Sequence, residues 1–248
     1  MFLSFLSSLG QVALLGEIPE GRLEGFVVLK APPDQILRGV SLLCLGSLGN
    51  LNLARSVGLS IGTILKEKGI NGYVFGTMDT LRSSDRKPLE KISSSPYITA
   101  QVLTLFAQGL SLAGVVPVFD ATGQVNPDVV RALVIRRATY PLLVEDKEKY
   151  EYLKSLGYVT SLVMDVAGNV LVGKPFEFSW SYGESVDHEK VRRAVLENAV
   201  VLRDRRNPEI SVNDPWKGGV VVFSNEDWLL KIAQEVLEGK RSPTGRSP

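Results

Sequence analysis

The clearest pattern in this sequence is Gly114-Val115-Val116-Pro117-Val118-Phe119-Asp120, a glycine followed by an apolar run that ends on an aspartate. The same unit runs from Gly69 to Asp79 and from Gly157 to Asp165. Glycine commonly closes a helix, because the residue after the last turn often takes a left-handed conformation. An apolar run without alternation is typical of a strand that is buried on both faces of a parallel sheet. The three units therefore predict an α/β fold.

Helical and extended segments alternate along most of the chain. Helices are predicted at 53–68, 98–113, 150–156, 189–198 and 227–237. Strands are predicted at 12–15, 26–29, 40–45, 73–78, 115–119, 133–135, 161–164, 200–202 and 219–223. This rhythm favours a (β/α)8 TIM-type barrel, in a complete or an irregular form, and a doubly wound sheet is the alternative with the same rhythm.

The length fits one domain. We predict a single barrel domain over residues 1–239 and a disordered tail over residues 240–248, because the tail has no apolar side chain to bury.

Two segments interrupt the alternation of helices and strands. A polar loop at 82–96 follows Asp79 and is of the kind that shapes a pocket mouth. The segment 169–184 carries alternating aromatic residues, which indicate a β-ribbon or an aromatic wall: Phe176, Phe178, Trp180 and Tyr182.

Composition excludes several functions. The 28 basic and 27 acidic residues give a net charge of +1, which offers no patch for nucleic acid or an anionic membrane. No uncharged apolar stretch reaches the ~18 residues of a membrane span, and no basic residue precedes Arg22 as in a signal peptide, so we expect a cytoplasmic protein. With one cysteine, Cys44, and one histidine, His188, the chain cannot form an internal disulfide or a zinc cluster, and we expect no metal or cofactor. The sequence is compatible with a homo-oligomer as well as with a monomer.

Three aspartates mark the carboxyl ends of the predicted strands: Asp79, Asp120 and Asp165. The carboxyl ends of parallel strands meet at one face, where α/β folds bind their ligands. All three side chains are therefore candidates for ligand contacts. The structural alternative is that they accept hydrogen bonds from nearby loop amides.

Several short stretches, in the same order along the chain, resemble the amino-terminal barrel of glycoside hydrolase family 3. They include Leu65-Lys66-Glu67-Lys68-Gly69-Ile70-Asn71, Phe75-Gly76-Thr77-Met78-Asp79 and Leu156-Gly157-Tyr158 leading to Asp165. Weaker matches lie at 53–58, 95–115, 140–142 and 220–239, so the resemblance covers residues 18–239. It is strongest to the single-barrel β-N-acetylhexosaminidases, which release N-acetylglucosamine with retention through an aspartate nucleophile. The resemblance implies a barrel fold and gives Asp165 the nucleophile position.

The catalytic loop of that family is altered here. Asp128 matches the aspartate of the acid/base dyad, but Val130 stands where its histidine partner is expected. Pro117 and Val118 replace a sugar-binding lysine and histidine. A retaining glycosidase needs a second group that protonates the leaving oxygen, and valine cannot move a proton.

Other sugar-binding positions are also changed. The arginine ahead of the polar loop falls on Glu90 or Lys91, and an early acidic-glycine motif is reduced to Glu20-Gly21-Arg22. Together with Asp79 and Asp120, the resemblance leaves Glu20 and Arg22 as candidate substrate-binding residues.

Two functions agree with a kept nucleophile position and changed acid/base and sugar-binding positions. One is a retaining glycosidase with weak or lost activity, which would have to recruit another acid such as Asp120, Glu145 or Asp146. The other is a non-catalytic barrel that binds a carbohydrate or another protein. In both cases a small carbohydrate is the expected ligand.

Overall fold

A computed structural model describes residues 12–176 and 185–248 of the chain. The strands are β1 (Ala13–Leu15), β2 (Val27–Lys30), β3 (Gly72–Thr77), β4 (Val116–Asp120), β5 (Leu142–Val144), β6 (Leu162–Asp165), β7 (Val170–Gly173), β8 (Val201–Leu202), β9 (Ile210–Val212) and β10 (Val220–Val222). The helices are α1 (Leu42–Gly46), α2 (Leu53–Glu67), α3 (Pro96–Leu112), α4 (Pro127–Ile135), α5 (Lys147–Ser155), α6 (His188–Asn198) and α7 (Asp227–Leu237). None of the helices in these ranges is long and apolar enough to cross a membrane.

Strands β1 to β7 form one sheet in which spatial order follows chain order. Strands β1 to β6 are parallel, and β7 returns antiparallel to β6. A doubly wound sheet reverses its strand order at a switch point, whereas a barrel adds each strand beside the previous one. The seven-stranded sheet follows the second rule. Strands β8, β10 and β9 form a separate small sheet.

The central strands are buried on both faces, and each face packs into a different cluster. The concave face is mostly small and aliphatic: Val12, Val28, Val74, Val116, Val118, Leu143, Leu162 and Met164. The next residues along the strands, among them Leu29, Phe75, Phe119 and Val163, belong to the larger cluster under the helices. Successive side chains on a strand point to opposite faces, so an unbroken apolar run supplies both clusters.

The sheet curls until its first strand meets the β6–β7 turn. The amide of Val12 donates to the carbonyl of Gly168 at 2.8 Å. Leu14, Val170 and Phe176 pack against the concave cluster from this side. The result is a mixed α/β fold with a curled, mostly parallel sheet, and no helix separates β1 from β2. The alternation is therefore irregular at its beginning.

Two predicted strands are wrong, because short apolar runs do not distinguish strands from buried helix segments. Residues 40–45 lie mainly in α1, which begins after Ser41, whose hydroxyl accepts from the amide of Cys44 at 3.2 Å. Residues 133–135 are the end of α4. Its start carries the signals of a helix N-terminus: Asn126 as N-cap, Pro127 in the first turn and Asp128 next to it.

The remaining predicted strands and the five predicted helices are confirmed, while β5 and β9 have no counterpart in the prediction. Strand β7 forms the first part of the predicted ribbon at 169–184. Phe178, Trp180 and Tyr182 lie outside the described residues. Cys44 is buried in α1, and this burial raises the pKa of its thiol.

Residues 244–246, within the predicted tail, form hydrogen bonds to the body of the protein. The amide of Gly245 donates to Val200, and that of Arg246 donates to Ser47, both at 2.8 Å. The guanidinium of Arg246 donates to the carbonyls of Leu48 and Gly49 at 2.7 and 2.6 Å. Backbone and guanidinium hydrogen bonds hold the segment without apolar side chains, and a compositional prediction takes no account of them.

Helices α6 and α7 are joined by a buried arginine. The side chain of Arg192 is only 8% exposed and contacts the carboxylates of Glu226 and Glu189. Glu226 also accepts from the indole of Trp228 at 2.6 Å and the hydroxyl of Ser224 at 3.1 Å. The hydrogen bond from Arg192, followed by those from Trp228 and Ser224, lowers the pKa of the Glu226 carboxyl to about 2.

We predict that Glu226→Gln lowers the free energy of unfolding at pH 7 by about 1–3 kcal/mol, because the buried guanidinium of Arg192 loses its main anionic partner. A carboxyl with a lowered pKa stabilises the fold above its ordinary pKa, and this contribution is lost as the pH falls from about 4.5 towards 2. Urea denaturation of both proteins between pH 7 and pH 3 measures the effect. The difference between them should shrink over the acid part of this range.

Glu189→Gln is the matched control. This carboxylate contacts the same guanidinium at 2.9 Å but is 71% exposed, so its loss should change the unfolding free energy by about 0.5 kcal/mol or less. Equal effects of the two substitutions would contradict the assignment.

Candidate functional site

A cavity of about 230 Å³ lies at the carboxyl ends of β2, β3 and β4. Three of its polar lining residues, Lys30, Thr77 and Asp120, are each the last residue of their strand. Its other walls are formed by Ala31, Pro32, Pro33, Asp34, Leu42, Val74, Phe75, Gly76, Leu89 and Glu90. Of the three strand-end aspartates predicted from sequence, Asp120 is the one that lines the cavity.

Asp120 and Lys30 form an ion pair across two strands. The ammonium nitrogen of Lys30 lies 2.9 Å from Oδ2 of Asp120, whose side chain is 13% exposed. Oδ1 of Asp120 accepts from the amide of Thr122 at 3.0 Å and from its hydroxyl at 2.6 Å. The pair is therefore held in place by its own loop. An ammonium has three N–H donors and a carboxylate about four acceptor sites, so both groups keep capacity for a ligand.

A bulge at the end of β3 places Thr77 next to Asp120. The register of β3 against β4 runs from Phe75 opposite Phe119 to Thr77 opposite Asp120, which leaves Gly76 unpaired. Gly76 has a φ of +61°, and a Cβ at this position would lie 2.3 Å from Cδ2 of Leu103. One extra residue changes the direction of the side chains at the end of a strand, and bulges near binding sites commonly have this effect. The hydroxyl oxygen of Thr77 is buried and has no hydrogen-bond partner in the described parts of the chain.

Two further carboxylates stand at the mouth of the cavity. Glu90 is exposed, and its Oε1 accepts from the ammonium of Lys87 at 2.8 Å. Asp34 lies in a short 3-10 turn at Pro33–Gln35. The hydroxyl of Tyr73 donates to the carbonyl of Ala31 at 2.7 Å, and burial, followed by the nearby charge of Asp34, raises its pKa.

Asp79 lies under the polar loop and does not line the cavity. Its side chain is 4% exposed, and its two oxygens lie 3.2 Å from Arg82 and 2.9 Å from Lys91. A buried carboxylate needs such partners, because losing water without compensation is costly. These bonds join the two ends of the loop that brings Leu89 and Glu90 to the cavity wall. The groups that donate to Asp79 are the side chains of Arg82 and Lys91. The structural alternative stated above expects the donors to be amides of the loop.

Asp165, the predicted nucleophile position, holds the β6–β7 turn. Its Oδ1 accepts from the amides of Ala167 and Asn169, both at 2.9 Å, and its Oδ2 accepts from the side-chain amide of Asn169 at 2.8 Å. Partial desolvation raises its pKa, but the hydrogen bonds from Asn169, Ala167 and Gly168 outweigh it, and the net shift is downward. Asp165 is not among the residues that line the cavity.

Strand periodicity explains the different orientations of these aspartates. Asp120 lies two residues after Val118 of the concave cluster, and Lys30 lies two residues after Val28, so both follow the concave side. Asp165 directly follows Met164, which belongs to that cluster, and so takes the opposite side. A shift of one residue therefore separates Asp165 from the cavity.

The other predicted site residues lie elsewhere. Asp128 is in the first turn of α4, is mostly exposed and pairs with Arg131 at 3.0 Å. Glu20 is exposed, and Arg22 lines a cleft with Lys66 and Asn71 beside the amino-terminal end of β3, opposite the cavity. The roles proposed for Asp128, Glu20 and Arg22 remain predictions, but the fold does not bring these residues to Asp120.

The two alternative acids have local partners. Glu145 accepts from the amide of Gly123 at 2.8 Å, and Asp146 caps α5 by accepting from the amide of Lys149 at 2.8 Å. Neither residue lines the cavity.

Sequence reasoning did not single out Lys30, Asp34 and Thr77 as site residues. Lys30 ends an apolar run, which is the signal that selected the aspartates, so the same rule applied to cations would have found it. Thr77 reaches the cavity through the bulge at Gly76, which leaves no reliable sequence signal.

Comparison with solved structures finds partial likenesses to two mycobacterial proteins. The first is described as a glycosyl hydrolase of the GH3 family from Mycobacterium smegmatis; it is 14% identical, covers 58% of this chain and 60% of its own, and has a TM-score of 0.43. The second, LpqI of M. tuberculosis, is 16% identical, covers 48% of this chain and 44% of its own, and has a TM-score of 0.39.

The sequence matches no protein-family model and no curated protein. This chain spans about 60% and 44% of the lengths of the two solved proteins. At this level of similarity no activity or ligand transfers from them, and the geometry of the cavity carries the functional argument.

We predict that Gly76→Ala destabilises the protein by more than the roughly 1–2 kcal/mol that a left-handed conformation costs an alanine. The added methyl group would also meet Leu103 at 2.3 Å, so the bulge and the cavity wall must shift. Thermal and urea denaturation measure the change.

Gly123→Ala is the matched control, because Gly123 has a φ of +78° and, apart from its chain neighbours, no atom of residues 12–176 and 185–248 lies within 4 Å of its Cβ position. It should show the conformational cost alone. Equal losses for the two variants would mean that the Gly76 bulge is not packed as described.

Proposed function

We propose that this chain is a divergent barrel of the glycoside hydrolase family 3 type that binds a small carbohydrate in the Asp120 cavity without hydrolysing it as a hexosaminidase does. One observation carries the proposal. The carboxylate at the nucleophile position, Asp165, lies outside the cavity and holds its own turn, whereas Asp120 and Lys30 line the cavity. The paired side chains of Asp120 and Lys30 are therefore suited to hydrogen bonding with a ligand rather than to nucleophilic attack on it.

The composition of the cavity favours a sugar-sized ligand. Its volume of about 230 Å³ is below the ~300–1,000 Å³ of sites for drug-sized molecules, which fits a ligand of a single ring. Pro32, Pro33 and Leu42 offer apolar walls, while Lys30 and Asp120 offer hydrogen bonds. A hexose has the same division, with C–H groups on its faces and hydroxyls at its edge.

The chemistry of retaining glycosidases argues against turnover at this site. That reaction needs a free nucleophilic carboxylate and an acid about 5 Å from it. The lowered pKa of Asp165 keeps its carboxyl ionised, but this carboxylate holds the β6–β7 turn and lies outside the cavity. Asp128 has no histidine beside it in sequence, because Val130 stands at that position.

We predict that N-acetylglucosamine and glucose bind at the cavity and that Asp120→Asn weakens this binding at least tenfold, because the ligand loses a charged hydrogen-bond partner. Asp165→Asn removes the same charge from another strand end and should leave the affinity unchanged within about twofold. Amide chemical-shift titrations of the three proteins measure the dissociation constants, and circular dichroism checks that each variant is folded.

The competing function is an active retaining glycosidase. Hydrolysis of an aryl N-acetylglucosaminide by the purified protein, abolished by Asp165→Asn, would make the binding proposal wrong. Absence of both hydrolysis and sugar binding would instead favour a protein-interaction barrel.

A further inference from the structure

The charges that line the cavity do not cancel. Lys30 is paired with Asp120 at 2.9 Å, and Glu90 is paired with Lys87 at 2.8 Å. Asp34 has no ion-pair partner within residues 12–176 and 185–248. The pairs Lys30–Asp120 and Lys87–Glu90 are each neutral. The carboxylate of Asp34 therefore leaves one uncompensated negative charge at the cavity and its mouth.

Asp34 is held at this position by the backbone. It is the second residue of the turn Pro33–Gln35, and Pro32 and Pro33 fix the chain that leads into it. Its charge acts on the buried hydroxyl of Tyr73, which donates to Ala31 next to the same turn. The carboxylate is exposed, so a ligand reaches it without a rearrangement of the protein.

The floor below Asp34 is apolar. Leu42, Val74, Phe75 and Leu89 line it, and the side chains of Val74 and Phe75 are almost completely buried. Charge interactions are stronger next to such a surface than in open water, because the local dielectric constant is lower. An uncompensated carboxylate at the edge of an apolar cavity therefore favours a ligand that carries a positive charge.

We infer that the cavity binds a hydroxylated ligand with a protonated amine, the class of which the amino sugars with a free amino group are the sugar members. Asp34 binds the ammonium group, and the Lys30–Asp120 pair donates to and accepts from the hydroxyls. This inference rests on the proposed function, because it selects among ligands of the same cavity.

The test compares three sugars that differ at one substituent: glucosamine, N-acetylglucosamine and glucose. Their dissociation constants are measured by amide chemical-shift titration at pH 6.5 and low salt. Glucosamine should bind about fivefold more tightly than the two neutral sugars, a gain within the range of one exposed ion pair. The advantage should decrease at 0.5 M salt, because ions screen exposed charges.

Asp34→Asn should remove this advantage, so that the three sugars bind with similar affinities. Glu151→Gln is the matched control: it removes one negative charge from an exposed position on α5, away from the cavity, and should preserve the preference for glucosamine. Persistence of the preference in Asp34→Asn would overturn the role of Asp34.

The outcomes separate this inference from the proposed function. Equal affinities for the three sugars in the unsubstituted protein would overturn the inference and leave carbohydrate binding intact. No binding of any of the three sugars would overturn the proposed function and the inference with it.

Discussion

The fold depends on burial of the parallel strands on both faces. Each central strand packs aliphatic side chains into the concave cluster and larger ones against the helices. Because the concave cluster is filled by residues such as Val28, Val74 and Val118, the inside of the curl is a core and not a channel. Open space of a ligand's size is therefore found at the strand ends, where side chains pass from the core to the solvent.

The polar groups at this rim are organised by local constraints. Thr122 orients Asp120 through two hydrogen bonds, and the Gly76 bulge turns Thr77 towards the same space. The buried Asp79 ties together the loop that forms the outer wall, through Arg82 and Lys91. These bonds hold the loop that carries Leu89 and Glu90 to the cavity wall. Asp79 thus shapes the outer wall of the cavity, and Asp120 lines the cavity.

Strand parity separates residues that the sequence treats alike. Asp120 and Asp165 both close an apolar run, and both are strand-end carboxylates. The first continues the concave side of its strand, and the second lies one residue out of phase and closes a turn with Asn169. Asp165 accepts hydrogen bonds from the backbone and side-chain amides of its own turn, whereas Asp120 pairs with a lysine in the lining of the cavity. For this reason we propose ligand binding at Asp120 and not at Asp165.

Local pattern was sufficient for the α/β class, for most of the strands, for all five predicted helices and for the position of Asp120, because periodicity, glycine stops and apolar runs act over a few residues. It failed for residues 40–45 and 133–135, where helix caps outweigh an apolar run. The partners of each strand-end side chain depend on sheet register, on a one-residue bulge and on the side of the strand that it occupies. Those properties arise when the strands assemble, so the pairing of Lys30 with Asp120 and the separation of Asp165 from both were set by the tertiary structure.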